Sequence, residues 1–244
     1  DTLAQIQAIN DPKIRIIQSI WNEQMQDRGY VYGQQKMIAQ FNCTGDWAFY
    51  IEGDEVYHED DLDKITQSMD QYVDDPKVEA LVFDFIHFYG NANSYLSSPG
   101  WYRTEARIIK NSIRSYAPDG LFWLVLDSNK TGRYPRAKHT GAKCYHYGWV
   151  RSEEQMSLKT KKISHHWGGQ PVNIDYSQMD QSIIMGFNGQ HPKVVKDWVP
   201  KVKGIFKTDP NYKLTKKQSK HRIMLKLEKW FNLELSKKHF KLVK

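Results

Sequence analysis

The order of helical and strand-like spacing along the 244 residues points to an α/β protein, a mixed sheet flanked by helices. Two observations carry this. Helix and strand periods alternate over the first 88 residues, the pattern of a mostly parallel sheet covered by helices. Beyond Gly90 strand-like runs follow one another, which suits an antiparallel or mixed half. Composition agrees, since 40% hydrophobic and 13% aromatic residues can fill the core of one domain with an appendage.

Residues 2–9 (TLAQIQAI) have helical spacing, and residues 13–20 (KIRIIQSI) read as a strand. Residues 33–41 set Met37, Ile38 and Phe41 on one helical face. Residues 47–51 (WAFYI) form an apolar strand that runs straight into Glu52, Gly53, Asp54 and Glu55. Residues 59–72 (EDDLDKITQSMDQY) open with acids, as a helix N-terminus favours, then space Leu62, Ile65 and Met69 helically. A strand over 78–88 (VEALVFDFIHF) follows. After a Ser/Asn/Gly/Pro loop at 90–100 come strand-like runs at 101–109, 121–126 and 142–147. A helix is expected over 150–164 and a loop-rich stretch over 167–192. An amphipathic helix over 221–235 carries Ile223, Leu227, Trp230 and Phe231 on one side. There is no internal repeat.

No apolar run approaches the roughly 18 residues of a membrane span, the longest candidate being LFWLVL at 121–126. Cys43 and Cys144 are the two cysteines and form no CxxC pair, which argues against a disulfide framework or cysteine metal site and for a reducing compartment, the cytoplasm. The chain opens at Asp1 without Met or a leader, so residues are expected to be missing in front. Net charge is +7 but unevenly spread: residues 192–244 hold 16 Lys and Arg against 4 Asp and Glu, and the rest is −5. Residues 1–190 are therefore read as the catalytic domain and 191–244 as a basic helical extension.

The acidic strand end has a geometric reading. In an open α/β sheet ligands sit at the carboxyl ends of strands. On a continued strand Glu52 and Asp54 point the same way, about 6–7 Å apart, with Gly53 between them admitting a phosphate or metal to the backbone. Two hard oxygen donors suit Mg²⁺ or Mn²⁺. A solvated acidic turn before a helix is the competing reading.

The stretch GDWAFYIEGDEVYHEDDL resembles the segment of family-two, GT-A type glycosyltransferases in which Gly-Asp-Trp leads into a strand ending in the DxD motif, here Glu52-Gly53-Asp54. Three further segments resemble a bacterial branch of that family: IHFYG (86–90), WYRTEARIIK (101–110), and CYHYGWVR (144–151) with Met156 and Lys159 following. The resemblance implies a GT-A-like nucleotide-diphospho-sugar transferase fold and sugar transfer from a nucleotide-sugar donor to a glycan or glycolipid acceptor, with inversion. It also implies an N-terminal truncation, because the strand-helix-strand unit that holds the base, roughly 30 residues or more, has no counterpart before Asp1. The motif departs from the family at its first position, where Glu52 replaces Asp.

By the same resemblance Asp1, Lys36, Glu52 and Asp54 contact the donor, and Glu52, Asp54 and His146 hold the metal that neutralises the departing diphosphate. A His among aromatics is as often structural, so His146 stands between the two readings. Glu105 is the candidate base and Arg107 the candidate anion-steering residue, set against a cross-strand ion-pair ladder of Arg103, Glu105 and Arg107. Asp84 and Asp119 are rival bases. Trp101 and Trp149 are candidate sugar-stacking residues or simply core. A metal-dependent phosphodiesterase and a non-catalytic binding fragment remain as alternatives. The basic tail lacks any finger, RRM or helix-turn-helix signature, so nucleic acid is not expected. Its amphipathic helix suits peripheral contact with an anionic membrane at the inner face, or packing on the catalytic domain.

Overall fold

β3 (Ala80–Tyr89) is the centre of the sheet, with every side chain buried except those of Asp84 and Ile86. The computed structural model describes residues 1–202 and 207–244. β3 pairs antiparallel with β5 (Thr104–Lys110), which pairs with β1 (Trp47–Phe49), and near its end with β4 (Ser94–Leu96), which pairs with β10 (Ile184–Gly186). On its other side β3 runs parallel to β9 (Arg136–Trp149), a 14-residue strand. β9 in turn carries β2 (Glu55–Tyr57) antiparallel and β11 (Lys241–Leu242) parallel. A separate antiparallel sheet joins β6 (Ser115–Tyr116), β7 (Leu124–Leu126) and β8 (Gly132–Arg133). The helices are α1 (Thr2–Ile9), α2 (Tyr30–Phe41), α3 (Leu62–Tyr72), α4 (Glu153–Ile163) and α5 (Lys216–Phe231).

The sheet is mixed, and the mostly parallel start expected from alternation is not found: among the described strands only β3–β9 and β9–β11 are parallel. Residues 13–20 explain much of this. They form no strand, and Ile14, Ile16, Ile17 and Ile20 are exposed. A strand needs a neighbour for its backbone N–H and C=O groups, and no described strand pairs with this one.

Alternation along β3 sorts the core. Ala80 and Val82 pack with Ala48, Trp123 and Phe240 on one face, whereas Leu81, Phe83 and Phe85 pack with Ile65 of α3 on the other. β5 breaks its own alternation at Arg107, since Leu81 pairs with Ile108 but Val82 with Ala106. This bulge is why Ala106 and Ile109, three residues apart, share a face. The far end of the chain is built into the same core: Phe240 is buried, β11 pairs with β9, and His239 Nδ1 lies 2.5 Å from Glu105 Oε2.

Candidate functional site

The strand before the acidic motif is short. After Phe49 the Tyr50 amide still donates to Arg107 O at 2.8 Å, but the chain then leaves β5 and closes a turn, with the Glu55 amide donating to Glu52 O at 3.0 Å. β2 follows, pairing Glu55 with His146. The Tyr147 amide donates to Asp54 O at 2.8 Å, so the main chain fixes Asp54 beside His146. Asp54 Oδ1 is 3.6 Å from His146 Nε2, and Lys159 Nζ on α4 is 3.1 Å from Asp54 Oδ2.

His146 has an oriented ring. Its register partner across β3 and β9 is His87, which is 1% exposed. His87 Nε2 lies 2.7 Å from Tyr102 O. A carbonyl only accepts, so Nε2 carries the hydrogen and Nδ1 of the neutral ring is an acceptor. His146 Nδ1, 2.9 Å away, is then the donor, and its Nε2 lone pair faces Asp54. Burial keeps both rings neutral: it pushes His87 down to about 3, helped by His146, and lowers His146 despite the pull of Asp54. Burial alone would raise Asp54, but the charge of His146 when its ring is protonated, together with the charge and hydrogen bond of Lys159, outweighs it and holds the carboxyl below its ordinary range.

The space in front of these atoms is kept clear. A Cβ at Gly148 would stand 2.6 Å from His146 Nε2 and 2.7 Å from Asp54 Oδ2, so only glycine fits. A single ion with bonds of about 2.0–2.2 Å spans the 3.6 Å between Asp54 and His146. An ionised carboxylate and an imidazole with a free lone pair are a donor set such an ion accepts, so these residues fit a divalent metal. Asp54 opens onto a cleft of about 980 Å³ whose wall includes Arg151, Lys201 and the start of α4 at Ser152 and Gln155. Ser152 and Gln155 cap α4 reciprocally. Asp54 is the one carboxylate among the described lining residues, and Arg151 and Lys201 are the cations among them.

Other expected site residues lie elsewhere. Glu52 does not align with Asp54 as on a strand, because both are in the turn; its Oε1 is 3.6 Å from Arg107 Nη2. Burial pushes the Glu52 carboxyl up to about 6 against the pull of Arg107, with Glu55 and Asp54 adding to the rise. Arg107 does not reach the cleft; it is fully buried, forks Glu55 at 2.5–3.0 Å and lies over Phe85. Glu105 is not an open base, being fully buried against His239. Lys36 is enclosed too, its Nζ 3.6 Å from the Trp123 ring centroid and 4.3 Å from that of Tyr50. Burial, with Arg107 nearby, pushes its ammonium down to about 7, while Glu105 and Glu52 oppose this. Asp1 caps α1, accepting from the Leu3 amide at 3.0 Å, and it is Gln5 of that helix that borders the cleft. Trp101 and Trp149 meet edge to face at 5.6 Å against a core of Tyr89, Leu96 and Met156. Trp101 also lines a second cavity of about 350 Å³. Asp84 bonds His139 at 2.9 Å and Thr104, and Asp119 accepts from the Leu121 amide.

Asp54 and His146, named together from the sequence as metal ligands, lie side by side, whereas the sequence suggested no role for His87, Gly148, Arg151 or Lys159. Gly148 and Arg151 sit inside the HYGWVR segment, two and five residues after His146, which is the signal available for them. Groups of three or more clustered His and carboxylate side chains occur at two other places among the described residues, Glu23 with His165 and His166, and His58 with Glu59 and Asp60, whereas Asp54 and His146 form only a pair. No protein-family model matches the chain, and no curated protein matches it.

Proposed function

We propose that the chain is a metal-dependent glycosyltransferase that moves a sugar from a nucleotide-sugar donor to a glycan or glycolipid acceptor. The observation that carries this reading is the aim of the His146 Nε2 lone pair, set by His87, at the same small space as the Asp54 carboxylate. Breaking the bond between a sugar and a nucleoside diphosphate builds negative charge on the leaving phosphate while the anomeric carbon gains oxocarbenium character. A divalent ion bound there supplies Lewis-acid neutralisation of that charge. Asp54 is held ionised and so ready as a ligand, and His146 is held neutral. Lys159, 3.1 Å from Asp54, balances the carboxylate and would meet the donor phosphates together with Arg151 and Lys201, which line the cleft. Fixed cations of this kind need no reorganisation as the charge develops.

Calorimetry with Mn²⁺ and a nucleoside diphosphate tests the reading on the wild-type chain and on Asp54→Asn. The variant should lose metal-dependent binding with its melting temperature nearly unchanged, because Asp54 sits at the cleft rather than in the core. Equal affinities in the two proteins would remove Asp54 from the site. Release of nucleoside monophosphate from a nucleotide sugar would favour the phosphodiesterase, and neither binding nor turnover of any nucleotide sugar the non-catalytic fragment.

A further inference from the structure

The amphipathic helix α5 is mounted with its polar side inward. Arg222 meets Asp180 through Nε and Nη2 at 2.9 and 2.6 Å, and Glu228 accepts from both terminal guanidinium nitrogens of Arg103. Leu225 packs between these anchors against the cluster of Tyr89, Leu96 and Met156. At about 100° of turn per residue, Ile223, Leu227, Trp230 and Phe231 fall on the far side of the helix from this seam. They are 60%, 38%, 79% and 64% exposed, and Leu233, 59% exposed, extends the stripe beyond the helix end. A surface helix ordinarily turns its apolar stripe to the core. Five large apolar side chains exposed side by side point to an interaction surface.

The charges select the occupant. Arg222 and Glu228 are neutralised in the inward pairs, which leaves Lys216, Lys217, Lys220, Lys226 and Lys229 on α5 with no acid among them. None of these five makes a salt bridge among the described residues. A second copy would bring the same cations against the same stripe, and like charges would oppose the contact. An anionic bilayer accepts both features, the apolar side chains at the acyl boundary and the lysines at the headgroups. No described helix is long and apolar enough to cross a membrane, so the contact is with one face.

We propose that α5 is an interfacial anchor that seats the protein on an anionic lipid surface through Ile223, Leu227, Trp230 and Phe231. This stands apart from the reading of Asp54. Sedimentation of the full chain with vesicles of phosphatidylglycerol and phosphatidylcholine, and with phosphatidylcholine alone, tests it. The protein should pellet with the anionic vesicles, weakly with the neutral ones, and less as salt is raised. Lys220→Gln and Lys226→Gln, which flank the stripe, should each weaken binding by about fivefold. Trp230→Ser with Phe231→Ser should weaken it by about tenfold or more, with melting temperature and Mn²⁺ affinity unchanged because both side chains are exposed. Equal pelleting of wild type and the double variant would overturn the proposal, as would indifference to lipid charge. A concentration-dependent dimer in sedimentation velocity that the double variant abolishes would assign the stripe to a second copy instead.

Discussion

Replacing His87 by Phe tests the orientation of His146 most directly. The His146 tautomer rests on one hydrogen bond, from its Nδ1–H to His87 Nδ1 at 2.9 Å. In His87→Phe that donor is buried without a partner, which costs about 1–3 kcal/mol. The ring escapes the cost by moving its hydrogen to Nε2, where it points at Asp54 and occupies the lone pair a metal needs. Loss of such a supporting residue lowers metal affinity by about 10–100-fold, or about 1.4–2.7 kcal/mol. Calorimetry with Mn²⁺ measures the loss, and ¹⁵N spectra of the imidazoles report which nitrogen carries the hydrogen. His87→Asn, which restores an acceptor oxygen, should recover most of the affinity, whereas a purely packing role for His87 would leave both variants alike. Wild-type affinity in His87→Phe, with His146 still protonated at Nδ1, would refute the reasoning.

Three further outcomes are expected. Gly148→Ala places a methyl 2.6 Å from His146 Nε2 and should reduce Mn²⁺ affinity about tenfold or more, measured by the same titration. Glu55→Gln strips Arg107 of its bidentate carboxylate and leaves Glu52, 3.6 Å away, as its one ion-pair partner among the described residues; thermal melts should show a loss of about 3 kcal/mol. Glu79 gives a pH window. Burial would raise its carboxyl, but bonds from Arg133 and Arg136 push it down to about 2, below the ordinary 4.5. A depressed carboxyl stabilises the fold fully above 4.5 and ceases to do so as pH falls towards 2. Urea melts should weaken across that interval in the wild type and less steeply in Glu79→Gln.

The elements legible in the sequence were those with strong local periodicity. Ile65 and Met69 marked α3 and the apolar run at 78–88 marked β3, because these side chains meet the core, whereas Leu62 of the same helical pattern is exposed. Residues 13–20 carry an equally apolar pattern, yet nothing local says whether a neighbour is available to complete a strand. The roles of Glu105 and Arg107 were hidden for a different reason. Strict alternation puts Arg103, Glu105 and Arg107 on one face, and the bulge at Arg107 cancels it. Such a bulge arises from pairing with β3 and leaves no mark on the run TEARIIK. The site was half legible: the acids at the end of β1 and the HYGW segment stand out, but their meeting depends on β2 pairing with β9. His87, embedded in an apolar strand, reads as core until its partner 59 residues away is known.

The bond between His239 and Glu105 joins residues 134 apart, and β11 covers the backbone of β9 at Arg136 and Ala137. During synthesis the segment bearing Glu105 leaves the ribosome long before residues 239–242 do. Until then a carboxylate sits in a forming apolar sheet without the imidazole that meets it, and the start of β9 presents an open edge to other chains. The pairing of β11 with β9 and the contact of His239 with Glu105 can therefore form only after translation of residues 239–242. A ribosome stalled before that point holds a nascent chain in which β3, β5 and β9 have all emerged but are not yet sealed.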